Sequence, residues 1–253
     1  MSELRTQTAL LECKNLLVGY GHALETMKFP FDFVLLPGTV VALMGENGCG
    51  KSSLLKTFAG LLNPVSGDVL LEGKALVEWA PRERAKAISL VRMSSAVPPR
   101  MSVREFVRLG RSPYSGIFDS RTDEDNRIVD ESMALLDVAA FANRPIAELS
   151  DGERSRVFLA EAVAQQVKVL LLDEPNAFLD IPRSHALFRL LKKIAAERGM
   201  GILVSTHSVE YAERYCDKIM VVNGGTVMVA DAADARKDGL LNWTEAGYEQ
   251  YGK

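Results

Sequence analysis

The sequence predicts an α/β fold: a parallel sheet core with a helical insert between its two halves. Three observations carry this. From residue 167 onward apolar strand-like runs alternate with helical runs, the pattern of a parallel sheet with crossover helices. TVVALM, residues 39–44, is continuously apolar, as a strand covered on both faces must be. Between Ser102 and Arg144 the text is helix-like throughout, with no strand to interrupt it.

In order, residues 9–20, 31–36 and 39–44 read as strands. Lys51 to Leu62 alternates at helical spacing and stops at Asn63-Pro64. SGDVLLEGKAL reads as a turn followed by an exposed strand or hairpin. SVREFVRLGR, TDEDNRIVDESMALLDV and AFANR form the helical insert, at about residues 102–145. VKVLLLDE (strand), PRSHALFRLLKKIAAERG (helix), GILVSTH (strand), SVEYAERY (helix), then DKIMVVN and GTVMVA (strands) complete the alternation. The text from Asp231 is short and polar, and no sizeable regulatory domain is expected after it. Residues 1–253 are expected to form a single domain carrying the insert.

With 253 residues, 47% hydrophobic and 25% charged, the chain has ample material for a core. A net charge of -3 and no basic block argue against nucleic acid as a partner. Cys13, Cys49 and Cys216 are widely spaced, neither a disulfide framework nor a zinc set, which suits a reducing compartment. The N-terminus lacks the apolar core of a secretion signal, and no stretch approaches the ~20 apolar residues that span a bilayer. The chain is expected to be cytosolic, or docked on something membrane-bound.

GENGCGKSS, residues 45–53, follows the TVVALM strand and opens a helix. It fits G-x-x-x-x-G-K-[ST], the phosphate-binding loop of P-loop NTPases. Glycines let successive N–H groups converge on one anion, and the helix N-terminus adds roughly half a positive charge. Gly45, Asn47, Gly48, Cys49, Gly50, Lys51, Ser52 and Ser53 are the candidate nucleotide contacts. Lys51 can reach the terminal phosphates, and the Ser52 hydroxyl can ligate Mg²⁺. VKVLLLDEP, residues 167–175, ends a strand in Asp173 and Glu174. Because neighbouring strand residues face opposite ways, one can hold the water shell of Mg²⁺ while the other orients or deprotonates a water. Alone, the pair reads as solvated loop; beside the phosphate loop it reads as a Walker B sequence.

LSDGERSRVFLAEAVAQ, residues 149–165, places Ser150 and Gly152 before an amphipathic helix. Ser150 with Glu153 fits a capping box, and the same N-terminus suits phosphate. With this motif the chain resembles the ATPase subunits of ABC transporters over nearly its whole length. LSDGE is similar to their LSGGQ signature, with Asp151 and Glu153 in place of Gly and Gln. The resemblance implies that Tyr20 stacks on adenine, that Asp180 communicates across a dimer, and that His207 is the switch histidine at the γ-phosphate. It also implies an antiparallel β part at the N-terminus of the P-loop core, and a head-to-tail dimer in which Ser150 and Gly152 serve the partner's ATP. Glu174 would be the general base, with Lys51 and His207 stabilising charge and Ser52 and Asp173 holding Mg²⁺. Membrane permease subunits and, indirectly, an extracytoplasmic solute-binding protein would be the other partners, with the chain peripheral on the inner face of the cell membrane. SVREFVRLGRSPYSGIFD, residues 102–119, is similar to a segment of importers for ferric siderophores, haem and cobalamin.

One departure stands out. Such subunits carry a glutamine, within Leu-x-Pro-Gln, that helps bind Mg²⁺ and the attacking water. Here the text is ISLVRMSSAVPP, which puts Met93 at that position, and a thioether is a poor ligand for Mg²⁺. Three readings stand open: Ser94 or Ser95 supplies the oxygen, water fills the gap, or the chain is a slow ATPase that waits for its permease. In this register Met93→Gln is expected to raise turnover. The rival to an ATPase is an ABC-like chain that binds ATP and hydrolyses it weakly.

Overall fold

The structure, a computed structural model, describes residues 8–93, 97–115 and 122–242. Two sheets share one strand-rich centre. The smaller is antiparallel, in the order β2-β1-β4-β5, built from β1 (Leu11–Leu17), β2 (Phe31–Leu35), β4 (Ser66–Leu71) and β5 (Lys74–Ala75). The larger runs β10-β9-β3-β8-β7-β6, with β3 (Val40–Gly45), β6 (Ile88–Arg92), β7 (Val169–Asp173), β8 (Gly201–Ser205), β9 (Lys218–Asn223) and β10 (Thr226–Asp231). All its pairings are parallel except the β9–β10 hairpin at one edge.

The apolar run of β3 has a direct cause. Val40, Ala42 and Met44 face one core, and Val41 and Leu43 face the other. β7 divides the same way, with Leu170 and Leu172 on one side and Val169 and Leu171 on the other. The first core joins the sheet to the helical insert; the second joins it to the antiparallel sheet and α1 (Lys51–Phe58). α1 ends four residues short of the expected Leu62. Gly60, at φ 68°, turns the chain into the left-handed region, while Leu61 N–H donates to Lys56 O and Gly60 N–H to Thr57 O. This is a Schellman closure, and glycine is the residue that adopts it at least cost. α2 (Pro81–Ala87) has no counterpart in the sequence reading, because seven residues are too few to establish a helical period.

The insert holds α3 (Val103–Arg108), which tightens into a 3₁₀ turn through Arg111, and α4 (Asp123–Leu135). Both pack on α5 (Asp151–Ala164). AFANR is not a helix: only residues 139–141 form a 3₁₀ turn, between Asp137 in the left-handed region at φ 55° and Pro145. Arg111 is buried and ties the insert together. Its guanidinium donates to Asp125 Oδ1 (2.8 Å), Ala164 O (2.8 Å) and Gln166 Oε1 (3.0 Å), and it lies 4.0 Å from the Tyr114 ring centroid. Its neighbour Gly110 lies against the α5 backbone so closely that a Cβ would sit 2.2 Å from Glu161 O. The Gly-Arg pair therefore has a structural reason inside the insert. The rest of the importer-like run, from residue 116, lies outside the described residues.

Glu161, on α5, gives the packing beneath the insert a pH signature. Desolvation raises its carboxyl from 4.5 to about 7. The folded chain then keeps a proton that the unfolded chain releases, so stability is full below pH 4.5 and falls as pH rises to about 7. That difference corresponds to about 3 kcal/mol at most. Glu161→Gln is expected to melt higher than wild type at pH 8 and to flatten the slope between pH 5 and 7. Equal slopes in thermal melts across that range would refute it. α6 (Ile181–Arg198) and α7 (Val209–Tyr215) cover the remaining sheet surface.

Candidate functional site

The parallel strands β3, β8 and β7 are neighbours and end on the same edge, where ligands of open α/β sheets bind. Gly45 ends β3, Asp173 ends β7, and Ser205 ends β8, two residues before His207. The candidate residues Gly45 to Ser53 form the turn from β3 into α1. Gly50 holds φ 98°, and a Cβ there would lie 2.7 Å from Leu24 Cδ1 and Met27 Cε. The 18–27 segment is thus packed under the loop, and Thr26 Oγ1 donates to Cys49 O at 2.6 Å. Cys49 is buried, which pushes its thiol up and keeps it protonated. Asn47 and Gly48 are exposed on the loop's outer side.

Lys51 is buried, and its ammonium donates to Gly45 O at 2.9 Å and Glu46 O at 3.0 Å. A cation is thereby stored inside the loop. α1 has no side-chain cap, whereas α3, α4, α5, α6 and α7 are capped by Ser102, Thr122, Ser150, Asp180 and Ser208. The first N–H groups of a helix lack intrahelical acceptors, so this end stays open to an anion. Tyr20 is 55% exposed and its hydroxyl lies 3.1 Å from Ser53 Oγ. Its ring stands at the flank of the loop, where a base can reach it.

Asp173 and Glu174 differ for another reason than strand alternation. β7 stops at Asp173, and Glu174 turns out of the strand at φ 50°. Its N–H donates to Ser205 Oγ at 2.8 Å, and Ser205 Oγ donates to Asp173 Oδ1 at 3.0 Å. The Glu174 carboxylate meets His207 Nε2 at 2.8 Å. Asp173, Ser205, Glu174 and His207, at two adjacent strand ends, are thus linked into one polar chain that passes through the Glu174 backbone N–H. The carboxylate at its tip can accept a proton from water, and the imidazole beside it can meet a negative charge. Ser205 and Thr26 are absent from the sequence reading. The signal for Ser205 was a hydroxyl closing the otherwise apolar buried strand GILVS.

Ser150, Gly152 and Asp180 lie apart from this group. Among the described residues no hydrogen bond or ion pair joins them to the phosphate loop. Ser150 caps α5 in a full capping box: Glu153 N–H donates to its hydroxyl, and its own N–H (2.9 Å) and hydroxyl (2.7 Å) donate to the Glu153 carboxylate. Those hydrogen bonds from Ser150 hold the Glu153 carboxyl below its ordinary value. Gly152 packs beside Leu179 and Arg183, at the loop that leads to Asp180.

Met93, the residue at the glutamine position in the sequence, packs in the core. It is only 9% exposed and belongs to the core that includes Val91, Val103 and Phe106, so its side chain is packing and not a substitute ligand. Ser94 and Ser95 lie outside the described residues. Met93→Gln is expected to bury an amide and to cost about 1–3 kcal/mol of stability, with no gain in turnover. A raised kcat in that variant would show that the site lacks an oxygen ligand at this position.

For a divalent cation, the Ser52 hydroxyl and the Asp173 carboxylate offer oxygen donors, the chemistry Mg²⁺ takes. α1, which begins at Lys51, packs on β7, which ends at Asp173. Among the described residues no group of three His, Cys, Asp or Glu could hold a metal unaided. The donor set therefore fits a cation shared with phosphate oxygens.

Residues 30–177 match the sequence profile of the ABC transporter family. The iron(3+)-hydroxamate import ATP-binding protein FhuC of Bacillus subtilis is 34% identical over 218 residues, 86% of this chain and 80% of that protein. The hemin import ATP-binding protein HmuV of Gloeobacter violaceus is 36% identical over 220 residues, 84% of this chain and 78% of that one. Among solved structures, CbiO1 of Clostridium perfringens, part of the ABC transporter complex CbiONQ, superposes with a TM-score of 0.78 at 26% identity, covering 92% of this chain and 96% of that one. With a phosphate loop, an acidic strand end and a capped signature helix in one α/β chain, these matches lead to one conclusion: the chain belongs to the ABC transporter family, as an ATP-binding, ATP-hydrolysing subunit.

Proposed function

We propose that this subunit drives import of an iron chelate, haem or cobalamin. The observation that carries the reading is the similarity, over most of both chains, to subunits named for hydroxamate-siderophore and hemin import. The Gly110-Arg111 segment adds little, because packing of the insert against α5 explains it. Deleting the gene is expected to abolish uptake of one of ferric hydroxamate, haem or cobalamin, followed with radiolabelled cargo. Unchanged uptake of all three would overturn the assignment.

In this reading Glu174 accepts the proton of the attacking water. Lys51 and His207 face the charge that develops on the transferred phosphoryl. For His207 this means leaving the Glu174 carboxylate for the γ-phosphate; for Lys51, leaving the loop carbonyls. Ser52 and Asp173 would hold Mg²⁺, which neutralises phosphate charge when bound. Tyr20 stacks on adenine.

The other partners follow from the same reading. A second copy binds head to tail, offering Ser150 and Gly152 to ATP held by the first, while Asp180 lies at the contact. The separation of these residues from the phosphate loop supports this, as do Phe178 and Ile181, 59% and 68% exposed on either side of Asp180. Among the described residues no helix is long and apolar enough to cross a membrane. In this reading permease subunits carry the cargo across, with this chain on their cytoplasmic side and a solute-binding protein beyond. Glu174→Gln with Mg-ATP is expected to elute as a dimer on size exclusion, and the double variant with Ser150→Arg as a monomer. A monomer in both would remove the head-to-tail arrangement.

A further inference from the structure

We propose that Ser205 is a positioning residue that aligns the Mg²⁺-binding and proton-accepting carboxylates as one unit. Ser205 is completely buried. β7 and β8 pair as far as Leu172 and Val204, after which the ladder ends. Glu174, in the left-handed region, then has an N–H with no ladder acceptor, and Ser205 Oγ supplies one at 2.8 Å. A serine hydroxyl has one proton to give, and here it goes to Asp173 Oδ1 at 3.0 Å. The hydroxyl is therefore used in both directions, and neither bond is available to water.

Two consequences follow. Asp173 is fixed through Oδ1, which leaves its other oxygen to face the cation. Glu174 is fixed at both ends by one three-residue stretch, its N–H by Ser205 and its carboxylate by His207. A residue held at φ 50° is strained by about 1–3 kcal/mol and persists only where its surroundings enforce it. Ser205 is the part of those surroundings that bonds to both carboxylate residues. It does not touch nucleotide in this arrangement; it acts through Asp173 and Glu174.

The inference rests on the ATPase reading of the same site, and the test separates the two. Wild type and Ser205→Ala are compared in kcat, in KM for ATP, and in the Mg²⁺ dependence of binding a non-hydrolysable ATP analogue. Loss of such a supporting hydrogen bond is expected to raise the Mg²⁺ half-saturation and lower kcat by about 10- to 100-fold each. KM and metal-free analogue binding are expected to stay within about twofold, because the phosphate loop is intact. Ser205→Thr, which keeps the hydroxyl, is expected to restore the Mg²⁺ response. Should the alanine chain not fold, Ser205→Cys, whose thiol fills the space but bonds weakly, carries the same expectation. Wild-type values of kcat and Mg²⁺ half-saturation in Ser205→Ala would overturn the role, as would a matching loss of metal-free binding, which marks a merely structural residue. A wild-type chain that neither binds the analogue nor hydrolyses ATP would overturn the reading of the site itself.

Discussion

Glu174→Gln is expected to lower ATP turnover by about 10²- to 10⁴-fold, the range a general base contributes, while ATP affinity stays near that of wild type. The carboxylate lies in the second half of the site, away from the loop that holds the phosphates. Glutamine keeps the size and one oxygen for His207, so the fold and the Nε2 contact at 2.8 Å lose little. What disappears is the ability to take a proton. Single-turnover phosphate release with saturating Mg-ATP measures it. Turnover within a few-fold of wild type would show that Glu174 is not the base, and would revive the view of a chain that binds ATP and hydrolyses it weakly.

Lys51→Ala is expected to weaken ATP binding and to lower stability in the absence of ATP. The first effect comes from losing a charge-assisted hydrogen bond to phosphate, about 1.5–3 kcal/mol or roughly 10- to 150-fold in affinity. The second follows from losing the buried bond from Lys51 to Gly45 O and its bond to Glu46 O, which still accepts from Cys49 N–H. Leaving a buried acceptor unpaired costs about 1–3 kcal/mol. The double signature separates this variant from Glu174→Gln, which alters neither. Calorimetric ATP titration and a melt of the nucleotide-free chain check it; unchanged affinity would remove Lys51 from the phosphate site.

Much of this was legible in the sequence because the signals are local. The phosphate loop is contiguous text between a strand and a helix, and the Ser150–Glu153 capping box spans four residues. The doubly covered β3 announced itself as an unbroken apolar run. Other features needed distant partners. Ser205 and Glu174 are 31 positions apart, and their bond exists only because β7 and β8 lie side by side. The turn at Glu174 was invisible to strand alternation, which assumes that the strand continues. Counting back from SVREF fixes the position of Met93 along the chain but not the direction of its side chain, which packs in the core. Gly110 stands in the importer-like run of the sequence, and only the structure shows that the α5 backbone passes beside it.

The division of β3 between two cores has a dynamic consequence. A strand end usually frays when one layer above it loosens, but Val41 to Met44 can exchange their amide protons only when both layers open. The helical insert belongs to one of those layers and the antiparallel sheet to the other. Motions of either layer alone, such as those that work against a permease, can therefore proceed without exposing the strand that anchors the phosphate loop. In hydrogen–deuterium exchange the β3 amides should report global unfolding while those of α3 and α4 exchange through smaller openings.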